Sequence, residues 1–440
     1  MTSLKPGTAE QVRDAVRWAL SEEAPLTVVA AGTKRALGRP VQARHTLDVS
    51  GLAGIDLYEP EELVVSAAPG TPLAEIEAAL AGHNQQLAFE PPDLGPLLGA
   101  ASAEPERAAV PPDTPPSAPG RGRGRKTKAG AAAAPPAPPG PTLGGIVACN
   151  LSGPRRIKAG AARDHLLGLE GVSGRGDAFK TGGRVFKNVT GYDLSKLMTG
   201  SYGTLAVFTR LTLKVLPRPE LERTVLLLGL DDAAAVRALT AALQTPCEVA
   251  GAAHLPAAAA ARSGVPEVAG AGAAVTAIRV EGFGPSVAYR CDRLMDLLRG
   301  AGELDELDSD ASAAFWREVR DVHPFVAGDR TVWRLSVAPS DGPAVAAAAG
   351  GDGAEHILDW GGGLVWLALP PADDAGAGRV RAALAGRDGH ATLIRAPEPV
   401  RAAVEVFQPQ AAPLAALTAR LKDSFDPRRI LNPGRMYAGV

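Results

Sequence analysis

Residues 102–141 cannot join a folded core, and that restricts every architecture open to this chain. The stretch is Pro, Ala, Gly and Ser around a basic run, Arg121-Gly122-Arg123-Gly124-Arg125-Lys126-Thr127-Lys128. It holds too little apolar surface to offset the entropy of ordering it. Patterned sequence resumes on its far side in mid-motif, at Thr142-Leu143-Gly144-Gly145. The tract therefore reads as a disordered insertion inside a domain, not as a linker between domains. A basic run can touch RNA or acidic lipid. This one has no aromatic residue and no regular period, which favours a solvated tether.

The remaining sequence is long enough for two or three domains. Val12, Ala15, Val16, Ala19 and Leu20 recur at helical spacing and predict a helix over 8–21, with Thr8 and Gln11 as a capping box. Strand-like runs follow at 26–30, 46–49 and 63–68. Thr71 and Pro72 are expected as N-cap and first residue of a helix that stops near Gly82. Residues 143–217 are glycine-rich, with a β-type run at 204–215, and Pro217 and Pro219 suggest a boundary. Helical stretches at 231–244, 286–300 and 311–320 then alternate with strands at 224–229, 274–280, 331–338 and 364–369. This predicts a separate α+β unit over 218–412. The tail 413–440 opens with a helix over 413–425.

Composition narrows function by exclusion. The chain has 46 basic and 48 acidic residues, so no global field points to nucleic acid or an anionic membrane. Cys149, Cys247 and Cys291 are too far apart in sequence for a C-x-x-C motif. They suit a reducing compartment and supply no iron–sulfur or zinc ligand set within this chain. No apolar stretch of signal-peptide or membrane-spanning type is seen, so a cytoplasmic location is expected. His45, His83, His165, His254, His323, His356 and His390 are dispersed, so no local metal motif is present. Each reads more readily as a surface or satisfied core histidine.

Three glycine-bearing segments follow apolar runs: 31–34, 143–153 and 200–205. Glycine admits positive φ and close backbone approach, so amides there can face an anion. None is G-x-G-x-x-G or a Walker A loop. Taken singly, each is more often an ordinary turn.

Their order carries more than any one of them. The matching segments are Ala31-Gly32-Thr33-Lys34, Leu37-Gly38-Arg39-Pro40, Glu90-Pro91-Pro92, Thr142-Leu143-Gly144-Gly145 and 152–156. Ala162-Arg163-Asp164, 183–194, 197–205 and Asn432-Pro433-Gly434-Arg435-Met436-Tyr437 complete the set. Together they resemble flavoproteins of the vanillyl-alcohol oxidase, or PCMH, type, and within them the FAD-binding subunit of bacterial glycolate oxidase. The resemblance implies an α+β fold, with a PCMH-type FAD-binding domain of two α+β subdomains over 1–217. An α+β cap domain over 218–412 would follow, and 413–440 would return to the FAD domain.

The resemblance also implies site residues. Ala31, Gly32, Thr33 and Lys34 would form the first pyrophosphate loop. Lys34 there either neutralises phosphate or is a solvated side chain, and the sequence leaves that open. Thr142, Leu143, Gly144, Gly145, Ala148, Cys149, Ser152 and Gly153 belong to the second loop. Pro91 stands in a further motif. Gly160, Arg163 and Asp164 match a segment beside the cofactor, and Gly203, Thr204, Leu205 and Val207 a run that contacts it through backbone. The first loop lacks histidine, so FAD is expected to be non-covalent.

Catalytic relatives place metal-binding histidines in the cap, and this chain lacks that pattern. The expectation is therefore a subunit that holds FAD while a homologous flavin subunit carries the main oxidation of glycolate to glyoxylate. Electrons would pass to an iron–sulfur subunit, in a complex peripheral to the inner membrane. Lys187, Asn188, Tyr192 and Asp193 keep a site in this chain open. The alternatives are a self-sufficient D-lactate-like 2-hydroxyacid dehydrogenase and a scaffold subunit without flavin.

Overall fold

In this computed structural model the described residues are 2–99, 140–185 and 191–440. The expectations for most of the insertion, and for Lys187 and Asn188, lie outside them. Among the described residues up to 217 the strands form three sheets. A parallel one places His45–Asp48 between Thr2–Leu4 and Leu26–Val29. An antiparallel five-stranded sheet runs in the order Ile55–Glu59, Val64–Ala67, Ala206–Lys214, Leu166–Ser173, Ala178–Gly182. Gln85–Gln86 and Leu216–Pro217 make a short ribbon.

The first helix is Ala9–Ser21, capped by the Thr8 hydroxyl, which accepts from the Gln11 amide. Gln11 Oε1 accepts from the Gly7 amide at 2.7 Å, one residue earlier than a capping box requires. The next helix, Leu73–Ala81, corrects the expected start. Pro72 is the N-cap, and no side chain caps the helix. The buried Thr71 hydroxyl instead donates to Ala68 O at 2.7 Å and accepts from Gly54 N at 2.9 Å. The Leu73 amide is satisfied by Pro141 O at 2.8 Å; Pro141, expected as the last residue of the insertion, is buried and belongs to the folded domain. Gly82 closes the helix as expected.

From Leu221 onward one antiparallel sheet of eight strands forms. Its order is Glu303–Leu307, Leu221–Leu228, Val275–Gly282, Gly251–Leu255, Glu355–Asp359, Leu364–Leu369, Thr331–Val337, Gly389–Arg395. Two βαββαβ units lie edge to edge, joined where His254 faces Leu358. Helices Asp232–Leu243, Gly284–Leu298 and Gly342–Gly350 pack on one face, burying Val236, Leu294 and Val345. Residues of the other face, among them Val332, Ile357, Trp366 and Ile394, join one apolar cluster with Leu37, Phe89, Leu143 and Ile146. The sheet thereby forms a wall against the first 217 residues.

A buried charge network crosses that wall. Glu90 accepts from Arg279 Nη1 and Nη2, both at 2.8 Å, and from the Arg155 amide at 2.6 Å. Arg155 Nε reaches both oxygens of Glu281 at 3.0 Å. Burial opposes ionisation of Glu90, but the two guanidinia outweigh it and hold its carboxyl at about 2. An unfolded glutamate titrates near 4.3, so this carboxylate contributes about 3 kcal/mol of stability above that pH. The contribution is lost as pH falls from about 4.5 toward 2. Urea midpoints measured over that range should fall for the parent protein and fall less for Glu90→Gln, which is already weaker at pH 7.

Candidate functional site

Strand Leu26–Val29 ends in a series of turns at 31–37 that provides one side of a cleft. Gly32 has φ +77°, and its carbonyl accepts from Arg35 N at 3.0 Å. The opposite side is the short helix Leu143–Cys149, which begins where the resemblance expected a loop. Gly144 sits hard against Pro69: a Cβ there would lie 2.7 Å from Pro69 Cβ and 2.8 Å from Pro69 O. Tyr202 and Gly203 close the third side, the Tyr202 amide donating to Ala148 O at 2.8 Å.

The C-terminal tail ties these pieces together. Asn432 Oδ1 accepts from Val28 N at 2.9 Å, and its Nδ2 donates to Tyr202 O at 2.9 Å. Arg435 Nη2 donates to Lys34 O at 2.9 Å. The cleft encloses about 730 Å³, part of it open to solvent.

Its electrostatics call for an anion. Lys34 is 7% exposed and Arg435 also 7%, and neither pairs with a carboxylate among the described residues. Lys34 Nζ has only the Thr33 hydroxyl, at 3.4 Å, and Arg435 Nε has no partner. Burial depresses both pKa values; Cys149 raises both in part, helped by Asp93 at Lys34. Among the described residues the amides of Gly32, Thr33, Lys34 and Gly145 have no acceptor. A diphosphate supplies the charge that these cations and amides lack. Val28, Val29, Val49, Ala206 and Phe208 line the rest and suit an apolar ring system. The residues present therefore fit FAD.

Of the residues singled out in the sequence, Ala31, Gly32, Thr33, Lys34, Thr142, Gly144, Gly145, Ala148, Cys149, Gly203 and Val207 line this cleft. The burial of Lys34 removes the reading of a solvated side chain. Pro91, Leu143, Ser152, Gly153, Gly160, Arg163, Asp164, Thr204 and Leu205 are not in its lining. Leu143 and Leu205 point into the core. The Thr204 hydroxyl donates to Ser201 O at 2.7 Å. Ser152 Oγ accepts from Ala162 N, Asp164 Oδ2 from Ala161 N, and the Arg163 amide donates to Asn150 Oδ1. Gly153 O accepts from Trp360 Nε1 at 3.1 Å, so that loop faces the eight-stranded sheet.

Tyr202, Asn432 and Arg435 were quoted in motifs without a role, and tertiary contact supplies one. The dispersed histidines hold a surprise as well. His254 and His356 both meet the Asp232 carboxylate, at 3.2 and 2.8 Å. Among the described residues no group of three or more His, Cys, Asp or Glu side chains is placed to hold a metal. Nor is any helix among them long and apolar enough to cross a membrane.

Residues 3–104 match a family model described as an FAD binding domain. Glycolate oxidase subunit GlcE of Escherichia coli is 33% identical over 98% of this chain and 97% of its own length. Glycolate oxidase subunit GlcD of Bacillus subtilis is 45% identical over 20% of this chain and 18% of its own. Among solved structures, p-cresol methylhydroxylase with substrate bound superposes with a TM-score of 0.67 at 14% identity. That match covers 98% of this chain and 88% of the other, and shows the fold. The fold is the α+β architecture of PCMH-type flavoproteins. With a relative matched over its whole length and an FAD-binding domain, the chain belongs to the GlcE family of FAD-dependent oxidoreductases of the glycolate oxidase type.

Proposed function

We propose that this chain is the FAD-holding subunit of a complex that oxidises glycolate to glyoxylate. Residues 1–217 form its FAD-binding domain, 218–412 its cap, and 413–440 a segment that returns to the FAD domain. The observation that carries the reading is the convergence of four separated segments on one cleft, with Lys34 and Arg435 there meeting no carboxylate among the described residues. Bound FAD supplies a two-electron acceptor for alcohol oxidation. The chain's own part is to clamp the diphosphate with amides and two buried cations and to seat the ring in an apolar cleft. The name of its whole-length relative, a subunit, supports a heteromeric complex.

The main oxidation belongs to a homologous flavin subunit, and electrons leave to an iron–sulfur subunit, in the cytoplasm or against the inner membrane. Two experiments test it. Co-purification from the native host should bring a second flavoprotein and bound iron. The isolated, FAD-loaded chain should not turn over glycolate or D-lactate with an artificial electron acceptor; robust turnover would overturn the division of labour. One observation favours a self-sufficient dehydrogenase instead, the unpaired Arg156 and Arg334 described below.

Closing a longer loop costs only logarithmically more. Removing 102–138 should therefore leave the flavin content per chain unchanged, read from absorbance. Apoprotein from that deletion would overturn the tether reading.

A further inference from the structure

Two guanidinium groups share one indole and form no ion pair among the described residues, although Asp164 lies near Arg156 and Asp359 near Arg334. The Cζ of Arg156 lies 4.4 Å from the Trp360 ring centroid, and that of Arg334 5.0 Å. Arg334 belongs to the wall, on the strand Thr331–Val337, and Arg156 comes from the helix Arg156–Ala159 of the first 217 residues. Among the described residues neither makes a hydrogen bond or ion pair. Arg334 is half-buried and Arg156 exposed; the buried Arg279, Arg290 and Arg401 are instead tied to protein acceptors. Arg279 holds Glu90, Arg290 the carbonyls of Cys247 and Glu281, and Arg401 the carbonyl of Gly38. Burial and the neighbouring Arg156 depress Arg334 to about 10. Asp359 feels Arg334 without bonding to it; it accepts the Trp360 amide, and burial raises its carboxyl to about 7.

The indole between them is held rigidly. Trp360 has φ +54°, a left-handed conformation that costs a bulky residue and recurs at functional sites. Its Nε1 donates to Gly153 O and its amide to Asp359. The flavin cleft is adjacent through Tyr202. That ring lines the cleft, its phenol feels both Arg334 and Arg435, and its hydroxyl has no hydrogen-bond partner among the described residues.

We propose that Arg156 and Arg334 form a receptor for the carboxylate of a small 2-hydroxy acid, seated over Trp360 beside the flavin cleft. A planar guanidinium fork matches a carboxylate, and two forks on one indole supply the charge that a single carboxylate balances in part. The Tyr202 hydroxyl is the free polar group for the acid's own hydroxyl. The anion site stands on the unpaired arginines; the class of acid rests on the proposed function. Binding here is a separate matter from turnover.

The test is titration of the FAD-loaded chain with glycolate, followed by calorimetry, tryptophan fluorescence and flavin absorbance. Saturable binding is expected. Arg334→Gln and Arg156→Gln should each weaken it about tenfold or more, with flavin content and thermal midpoint unchanged, and Arg334→Lys should recover part of the loss. A folded, flavin-replete Arg334→Gln protein that binds glycolate within about twofold of the parent overturns the proposal. So does a flavin-replete parent that gives neither heat nor spectral change, or one that binds sulfate as tightly as glycolate. If the chain takes up no FAD, the proposed function fails by itself. Glycolate heat on that apoprotein, abolished in Arg334→Gln, would still support the anion site.

Discussion

Gly145→Trp protein is expected to fold and to purify colourless. An added Cβ at Gly145 meets Thr142 Oγ1 at 3.4 Å and Lys34 Cδ and Nζ at 3.6 Å, so a methyl group alone is tolerated. An indole continuing from that point enters the space between the Lys34 loop and the helix Leu143–Cys149. It occupies the position toward which the unbonded amides and the buried ammonium converge. The loss is of binding, not of core, because Gly145 lines the cleft rather than the cluster around Leu143 and Ile146. Flavin retention should fall by at least about a hundredfold in affinity, equivalent to losing two charge-assisted contacts. Absorbance and a circular-dichroism melt read the two effects separately. Gly145→Ala should stay yellow. A Gly145→Trp protein with full flavin would show that the amides do not meet on a common ligand, and the cofactor assignment would go with it.

Lys422→Met should cost about 3–5 kcal/mol of stability, because it strands a buried carboxylate. Lys422 and Asp426 are both 0% exposed. The ammonium donates to Asp426 at 2.8 Å, to Thr204 O at 2.7 Å and to Leu431 O at 3.0 Å. Asp426 also accepts from the amides of Ile430 and Leu431. One side chain thus joins the last helix, the turn that carries Gly203, and the strand-like tail that delivers Asn432. Urea unfolding should show the loss directly. Flavin should leave at lower denaturant than in the parent, since Asn432 and Arg435 depend on the same tail. Lys422→Met with Asp426→Leu should recover much of the stability, since no buried charge is then left alone.

Local physics made several elements legible in the sequence. Helical periodicity placed Ala9–Ser21, Asp232–Leu243 and Ser309–Arg320 to within a residue or two. Thr8 acted as the expected cap because an N-cap hydroxyl needs only residues three positions away. Thr71 did not, because its hydroxyl had distant partners in Ala68 and Gly54 that pattern reading cannot see. Strands such as Gly251–Leu255 and Glu355–Asp359 escaped notice. GAAHL is buried throughout and EHILD is half-buried, so neither shows the alternation of a strand with one wet face.

The order of glycine-bearing segments pointed to the family from sequence alone, because several of them meet a short-range demand: a positive φ, as at Gly32 and Gly203, or a turn after a strand. What tertiary structure alone decided is which of those segments line one cleft. Ala31 to Lys34, Gly145, Gly203 and Arg435 are up to about four hundred residues apart, and only closure of the chain by Asn432 and Lys422 brings their amides and charges to one volume. The same holds for Arg156 and Arg334. Nothing near either in sequence distinguishes an arginine that has found a carboxylate from one that has not, since the partner is a property of the packed wall.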